Sequence, residues 1–471
     1  MTASPAPYSE PSVTPVPAGP APRRLAGGAF ATLAAQVVLV GATTVTSVAV
    51  ARLLGPSGTG AVALITNLVG MGTLLFGLGL RGGIIYELNS GAWDLRQAAR
   101  QTALAAVALG VVGGAAVLLL HALTRDSVLS GLDRTTAIAT GAALPFGIAV
   151  VYTGAIALAH DRYEAFALLQ ALAPVATLVL AVGLAIPLGV PGAAAGIAGA
   201  TGVTAVAGWT WLSRYVAAHG AAEGAIRGRL RPALRFGVQA WGGDVLQFLN
   251  YRVDLFILNG FAVIADVGVY SVAVTLTSLA WILPNALTTV LFPRAATLEA
   301  ATRSGAISQA EADATAVKGA RQTIILLVPS AAVALVLLFA GVPLLYGERF
   351  ADTTVLGLIL LPGVLTIGFG MALSAVTTGR GHPQYALYLS LITFPITIVM
   401  YLVLIPRFDA TGAAIATTLS YIITTAVAWI FFRRVTGLQL RQLVPRAEDL
   451  HEARDAATSL VRTVIGARRG R

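Results

Sequence analysis

The sequence predicts an all-α polytopic membrane protein of about twelve transmembrane helices, and three observations carry that expectation. Of 471 residues, 56% are hydrophobic and only 11% charged, with a mean hydropathy of +0.80. A soluble domain, with roughly 25% charged residues, has no way to hide so much apolar surface. The apolar residues fall in repeated stretches of about 20, the length a helix needs to cross a hydrocarbon core of about 30 Å in which an unpaired backbone group finds no partner. The Lys and Arg residues sort to one side of those stretches.

Hydropathy, punctuated by Gly, Pro and charge, places the spans near residues 27–51, 57–80, 98–121, 135–159, 165–187, 191–213, 236–260, 266–292, 322–345, 354–378, 384–405 and 410–432. With both termini cytoplasmic, 25 Lys and Arg residues lie on the inner side and five on the outer: Arg52, Arg125, Arg134, Arg349 and Arg407. An odd number of spans would scramble this positive-inside pattern. The same pattern gives the net charge of +10 and the pI near 10.3 a topological reading in place of nucleic-acid binding. Cysteine is absent, which excludes disulfides, thiolate chemistry and cysteine-ligated metals. The five histidines are scattered at span ends or outside them and suggest no metal site. Without a phosphate loop, an H-E-x-x-H or a G-x-S-x-G, the expectation is a protein with no cofactor and no catalytic residues, not an enzyme.

Residues 1–22 hold seven prolines and no Lys or Arg, so they lack a signal-peptide pattern and read as a disordered arm. The remainder divides into two similar halves. FALLQALAPVATLVLAVGLAIP (166–187) aligns with YALYLSLITFPITIVMYLVLIP (385–406) at an offset of 219. At an offset of 220, Gly192-Ala193-Ala194 matches Gly412-Ala413-Ala414, Trp209 matches Trp429 and Arg214 matches Arg434. Six spans per half keep both halves in one orientation, a parallel repeat whose lobes commonly hold substrate between them. The expected domains are an N-lobe at 23–217 with helices 1–6, a basic cytoplasmic linker at 218–233, a C-lobe at 234–434 with helices 7–12, and a tail at 435–471. The helical spacing of Leu450, Ala453, Ala457, Leu460, Val461 and Val464 suits either an amphipathic surface helix or a solvated tail.

Ionisable residues inside a bilayer are costly, so each poses a functional question. Span 7, WGGDVLQFLNYRVDLFILNG (241–260), concentrates them. At 100° per residue, Asp244, Gln247, Asn250, Tyr251 and Asp254 share a face about 120° wide, and Arg252 flanks it. Span 8 carries a milder stripe of Ser271, Thr275, Ser278, Asn285 and Thr289; span 1 has Thr32, Gln36, Thr43 and Ser47; span 2 has Asn67 and Arg81 two heptads apart. These matching first pairs of helices in each half point to a hydrated cavity between lobes. Candidate cavity residues are Arg81, Arg252, Asp254, Asp244, Gln36, Asn67, Gln247, Asn250, Tyr251 and Asn285. Hydroxyl stripes also arise from packing alone, and Asp244 and Asp254 fit either a buried ion pair with Arg252 or Arg81 or a direct part in transport. Arg52 reads as an interfacial anchor, and Gly192 with Gly196 as a close-packing face.

VARLLGPSGTGAVAL (50–64), RVDLFILNG and DVGVYSVA (252–260 and 266–273), LFPRAA (291–296), LLYGERF (344–350), TGRGHP (378–383) and LIPRFDATGAAIATTLSY (404–421) together resemble the polysaccharide biosynthesis flippases of the multidrug/oligosaccharidyl-lipid/polysaccharide exporter superfamily. The resemblance spans residues 27–434. It implies a V-shaped pair of six-helix lobes that moves a polyprenyl-pyrophosphate-linked oligosaccharide from the inner to the outer leaflet of a bacterial cytoplasmic membrane by alternating access, without ATP. It implies also that the first two helices of each lobe line the cavity, that Arg81 and Arg252 hold the pyrophosphate, and that a polysaccharide polymerase and glycosyltransferases are partners. Asp254 sits where the family often has an acid; Asp244 matches no family pattern. Nothing hydrophobic follows residue 432, whereas peptidoglycan-precursor flippases usually have fourteen spans. The alternatives are a cation-coupled drug exporter, which commonly uses acids buried in the first lobe, a membrane glycosyltransferase or ligase, which needs acids in a sizeable outer loop, and a non-transporting scaffold of envelope assembly, which needs no polar stripes matched between repeats.

Overall fold

Helix α1, Pro22–Phe76, contains 55 residues; at 1.5 Å per residue a straight helix of that length would be about 80 Å long, well beyond a bilayer. It turns back at Gly55, whose φ of +67° suits a residue without a Cβ. The computed structural model describes residues 22–125, 127–219, 230–446 and 448–449, and these are helical with no strand among them. After α1 come α2 (Leu80–Asn89), α3 (Leu95–Thr124), α4 (Arg134–Ala159) and α5 (Tyr163–His219), which form a first unit. A second unit contains α6 (Leu230–Phe261), α7 (Ile264–Ser278), α8 (Ile282–Arg303), α9 (Gln309–Val336), α10 (Asp352–Gly379) and α11 (Gln384–Thr436). A 3₁₀ turn at Leu279–Trp281 joins α7 to α8, and a π-helical stretch, Leu337–Tyr346, prolongs α9.

Eight of these helical stretches are long and apolar enough to cross a membrane, fewer than the twelve expected. Three of the eight, α1, α5 and α11, are pairs of helices joined at Gly55, Gly189 and Asp409. Helix α6 falls outside the eight because Asp244, Arg252 and Asp254 lower its hydropathy. Twelve is reached only when the broken helices count as two and α6 is included.

The internal repeat is visible in backbone geometry. Gly189 (φ +65°, ψ −139°) and Asp409 (φ +48°, ψ −129°) take the same non-helical conformation at the repeat offset. Beyond each turn the chain folds back on itself: a Cβ at Gly192 would collide with the Leu184 carbonyl, and one at Gly412 with the Leu404 carbonyl. Gly196 presses on Leu180 and Ala181 in the same way, so the small-residue face packs two halves of one hairpin.

Span 2 departs from its expected course. It ends at Phe76; a turn with positive φ at Leu78 and Gly79 follows, and Arg81 lies in the first turn of the separate helix α2. Asn67 and Arg81 therefore do not share one helix face. Helix α5 runs to His219 and α6 starts at Leu230, so both intrude on the expected 218–233 linker, whose residues 220–229 lie outside the described residues. Gly437 ends α11, and residues after it fold onto the second unit: Leu438 and Leu443 are buried with Ala316, Ala320, Val376 and Phe432, and Arg321 Nε donates to the Gln442 carbonyl at 2.9 Å. The rest of the expected amphipathic tail, from residue 450, and the arm at 1–21 lie outside the described residues.

Candidate functional site

The two units meet along the second half of α1. At the arginine-poor end, Gly60 and Gly268 bring α1 and α7 into backbone contact, a Cβ on Gly268 colliding with the Pro56 carbonyl. Three side chains tie the same end. Arg52 donates from Nε to Leu345 O (2.6 Å) and from Nη2 to Leu344 O (2.7 Å). These carbonyls belong to the last turn before Gly347, where a helix leaves acceptors unpaired and its dipole favours a cation. Tyr346 Oη donates to Ser47 Oγ at 3.1 Å. Asn259 Nδ2 reaches the carbonyls of Val128 (2.9 Å) and Ser130 (3.1 Å) in the α3–α4 loop.

At the arginine-rich end the contact lies between α2 and α6. Gly79 and Gly237 meet backbone to backbone, Tyr86 stacks on Phe236 with ring centroids 4.4 Å apart, and Trp241 Nε1 donates to Leu74 O at 2.8 Å. Helix α1 thus braces α7 at one end and α6 at the other.

The polar face of α6 changes character along its length. Asp244 and Gln247 are exposed, Tyr251 and Arg252 are partly buried, and Asn250 and Asp254 are buried. An exposed carboxylate at this depth cannot face lipid without a large penalty, so this half of the helix demands water or a polar ligand. Arg81 on α2 is exposed and its charge acts on Asp244. Gln36 and Thr43 on α1 and Asn285 and Thr289 on α8 are exposed too, whereas Asn67 turns its amide back to Ala63 O at 2.8 Å. The side chain of Thr32 is not among those described.

The buried half of the face leads into the second unit. Asp254, 2% exposed, accepts from Tyr270 Oη at 2.6 Å and from the Leu255 amide at 2.8 Å. Tyr270 also meets Thr417 Oγ1 at 2.9 Å, and Thr417 meets Tyr401 Oη at 3.0 Å. This network joins α6, α7 and both halves of α11, and the Arg252 charge acts on Asp254 from the same helix. Beside it, Tyr251, Trp281 and Tyr421 form a mutual cluster with centroid distances of 5.8 to 5.9 Å.

A family model described as polysaccharide biosynthesis protein matches residues 25–299, more than half of the chain. The chain belongs to that family. A search of curated proteins gave no match. Among solved structures, the lipid II flippase MurJ in an inward closed conformation superimposes with a TM-score of 0.66 at 13% identity, covering 87% of this chain and 90% of that one. The multidrug transporter DinF-BH gives a TM-score of 0.61 at 15% identity, covering 89% and 97%. A mutant of the Vibrio cholerae transporter VcmN gives 0.56 at 18% identity, covering 89% and 98%. At these identities the likeness shows the fold alone, two helical units built as in the flippase and multidrug-transporter superfamily.

In this member of the polysaccharide biosynthesis family, several residues at the seam and in the buried network escaped sequence reasoning. Arg52 binds the opposite unit and not merely the interface. Asn259, read only as the end of a motif, bridges the units. Tyr270, Tyr401 and Thr417 lie far apart in sequence and look like ordinary packing residues. A partial signal existed for Trp281, whose indole donates to Val364 O at 2.9 Å three residues before the helix-disturbing Pro284.

Proposed function

We propose that the chain is a flippase that carries a polyprenyl-pyrophosphate-linked oligosaccharide from the cytoplasmic to the outer leaflet of the cell membrane by alternating access. The observation that supports this most is the exposed half of the α6 polar face beside Arg81, at the edge of the seam between the two helical units. The positive-inside pattern assigns the arginine-rich end, and both termini, to the cytoplasm. Arg81 takes the pyrophosphate there, since a guanidinium matches phosphate oxygens in pairs. Gln247, Asn285 and Gln36 offer carboxamides to sugar hydroxyls, while the polyprenyl chain stays in the bilayer.

Asp254, with the Arg252 charge acting on it from the same helix, is the carboxylate whose protonation is linked to the conformational change. A surface-polysaccharide polymerase and glycosyltransferases are the working partners. Deletion tests the reading: a lipid-linked saccharide should accumulate on the cytoplasmic face. Unchanged surface polysaccharide with altered drug sensitivity would replace it with drug export.

A further inference from the structure

The TGRGHP motif ends α10 with Arg380, a side chain outside the proposed transport pathway. It is 4% exposed. Its Nη2 contacts Asp313 Oδ1 at 2.6 Å without the alignment of a directed hydrogen bond, and Nη1 has no hydrogen-bond partner among the described residues. A guanidinium has five donors and keeps its charge. One carboxylate touched at a single oxygen leaves most of those donors idle in a buried place, an arrangement that favours any further acceptor able to reach them.

Arg380 opens on a shallow crevice between α8, α9 and α10 that is open to solvent. Arg294 of α8, exposed, lines it as well, and the lining contains no carboxylate. Leu291, Leu298 and Val376 supply the apolar wall. With Asp313 offsetting one of the two arginines, a net positive charge remains against an apolar surface; this suits a phosphate group, and the apolar wall gives an attached hydrocarbon somewhere to lie. Every lining residue belongs to the second unit, so the crevice is separate from the seam and owes nothing to the nature of the cargo.

We infer that this crevice binds a phosphate group, with Arg380 as its buried donor and Arg294 as its outer one. The phosphate can come from an anionic lipid headgroup or from a free anion. Bound there, it would brace α8 against α10 at the arginine-rich end.

Thermal unfolding of the purified full chain distinguishes the sources. In nanodiscs, phosphatidylglycerol mixed into phosphatidylcholine should raise the midpoint by about 2–4 °C over phosphatidylcholine alone; in detergent, inorganic phosphate should give a comparable rise if a free anion is the ligand. Arg294→Gln, at an exposed position, and Arg380→Lys, which keeps the charge beside Asp313 but loses the fork, should each remove at least half of the rise and leave the phosphatidylcholine midpoint of Arg294→Gln unchanged. Arg434→Gln, exposed at the same end, should keep all of it. A rise with phosphatidylglycerol only assigns the site to a lipid headgroup, and a rise with phosphate in detergent to a free anion. No rise with either, or an equal rise in wild type, Arg294→Gln and Arg380→Lys, would overturn the inference.

Discussion

Asp254 is a carboxylate sealed into the second unit with two hydrogen-bond donors and one nearby arginine, which is how a buried negative charge is held. Asparagine at this position keeps the acceptor for Tyr270 and nearly the same volume. Asp254→Asn should therefore fold, while proteoliposomes containing it should lose the dependence of flipping on the pH gradient. Unchanged dependence in both Asp254→Asn and Asp244→Asn would remove the carboxylates from coupling. Tyr270→Phe tests the network itself: it leaves Asp254 short of a donor and Thr417 with Tyr401 as its remaining side-chain partner, and should cost about 1–3 kcal/mol, read as a lower unfolding midpoint. In sequence, Asp254 is conspicuous because acids are rare inside spans. Tyr270 is not, because a tyrosine in a membrane helix looks the same whether its hydroxyl meets a carboxylate or a backbone carbonyl.

At the scale of elements, the two hairpins α5 and α11 solve one problem with different residues. The turn needs a positive φ, which glycine takes freely at 189 and which aspartate takes at 409 against its steric preference. Gly189→Ala should lower the unfolding midpoint, by a cost of about 1–3 kcal/mol. Asp409→Gly should leave the midpoint unchanged or raise it by the equivalent of up to about 1 kcal/mol, because relieved strain slightly outweighs the extra entropy of a glycine in the unfolded chain. A fall for Asp409→Gly would show that its side chain supports the turn. The repeat offset made this pairing readable before any coordinates, since the turns sit where Pro187 and Pro406 end matching apolar runs. The break between α1 and α2 was not readable, since Gly77-Leu78-Gly79 is apolar and hydropathy continues smoothly through it.

For the whole molecule, the proposed alternating access requires the units to separate at one end while they hold at the other. The arginine-poor end is held by Arg52, Ser47, Tyr346 and Asn259 together with the Gly60 and Gly268 crossing. Weakening one tie should shift the population of open forms and not unfold the protein. The chain has no cysteine, so Ser47→Cys provides a single reporter thiol. A thiol reagent that cannot cross the membrane, added on the outer side, should label it several-fold faster when Arg52→Ala is also present. Equal rates would show that Arg52 does not hold that end.

Composition and the spacing of apolar stretches determined that the chain spans a membrane and that its halves repeat, because the free energy of moving residues into a bilayer adds up locally along the chain. Tertiary structure decided which polar residues do what. It placed Asp244 and Gln247 in the open and Asp254 in a sealed network on the same helix face, and it aimed Arg52 at carbonyls almost 300 positions away. Periodicity gives a direction around one helix, whereas exposure and partnership depend on the neighbouring helix, and its identity follows from packing across the fold.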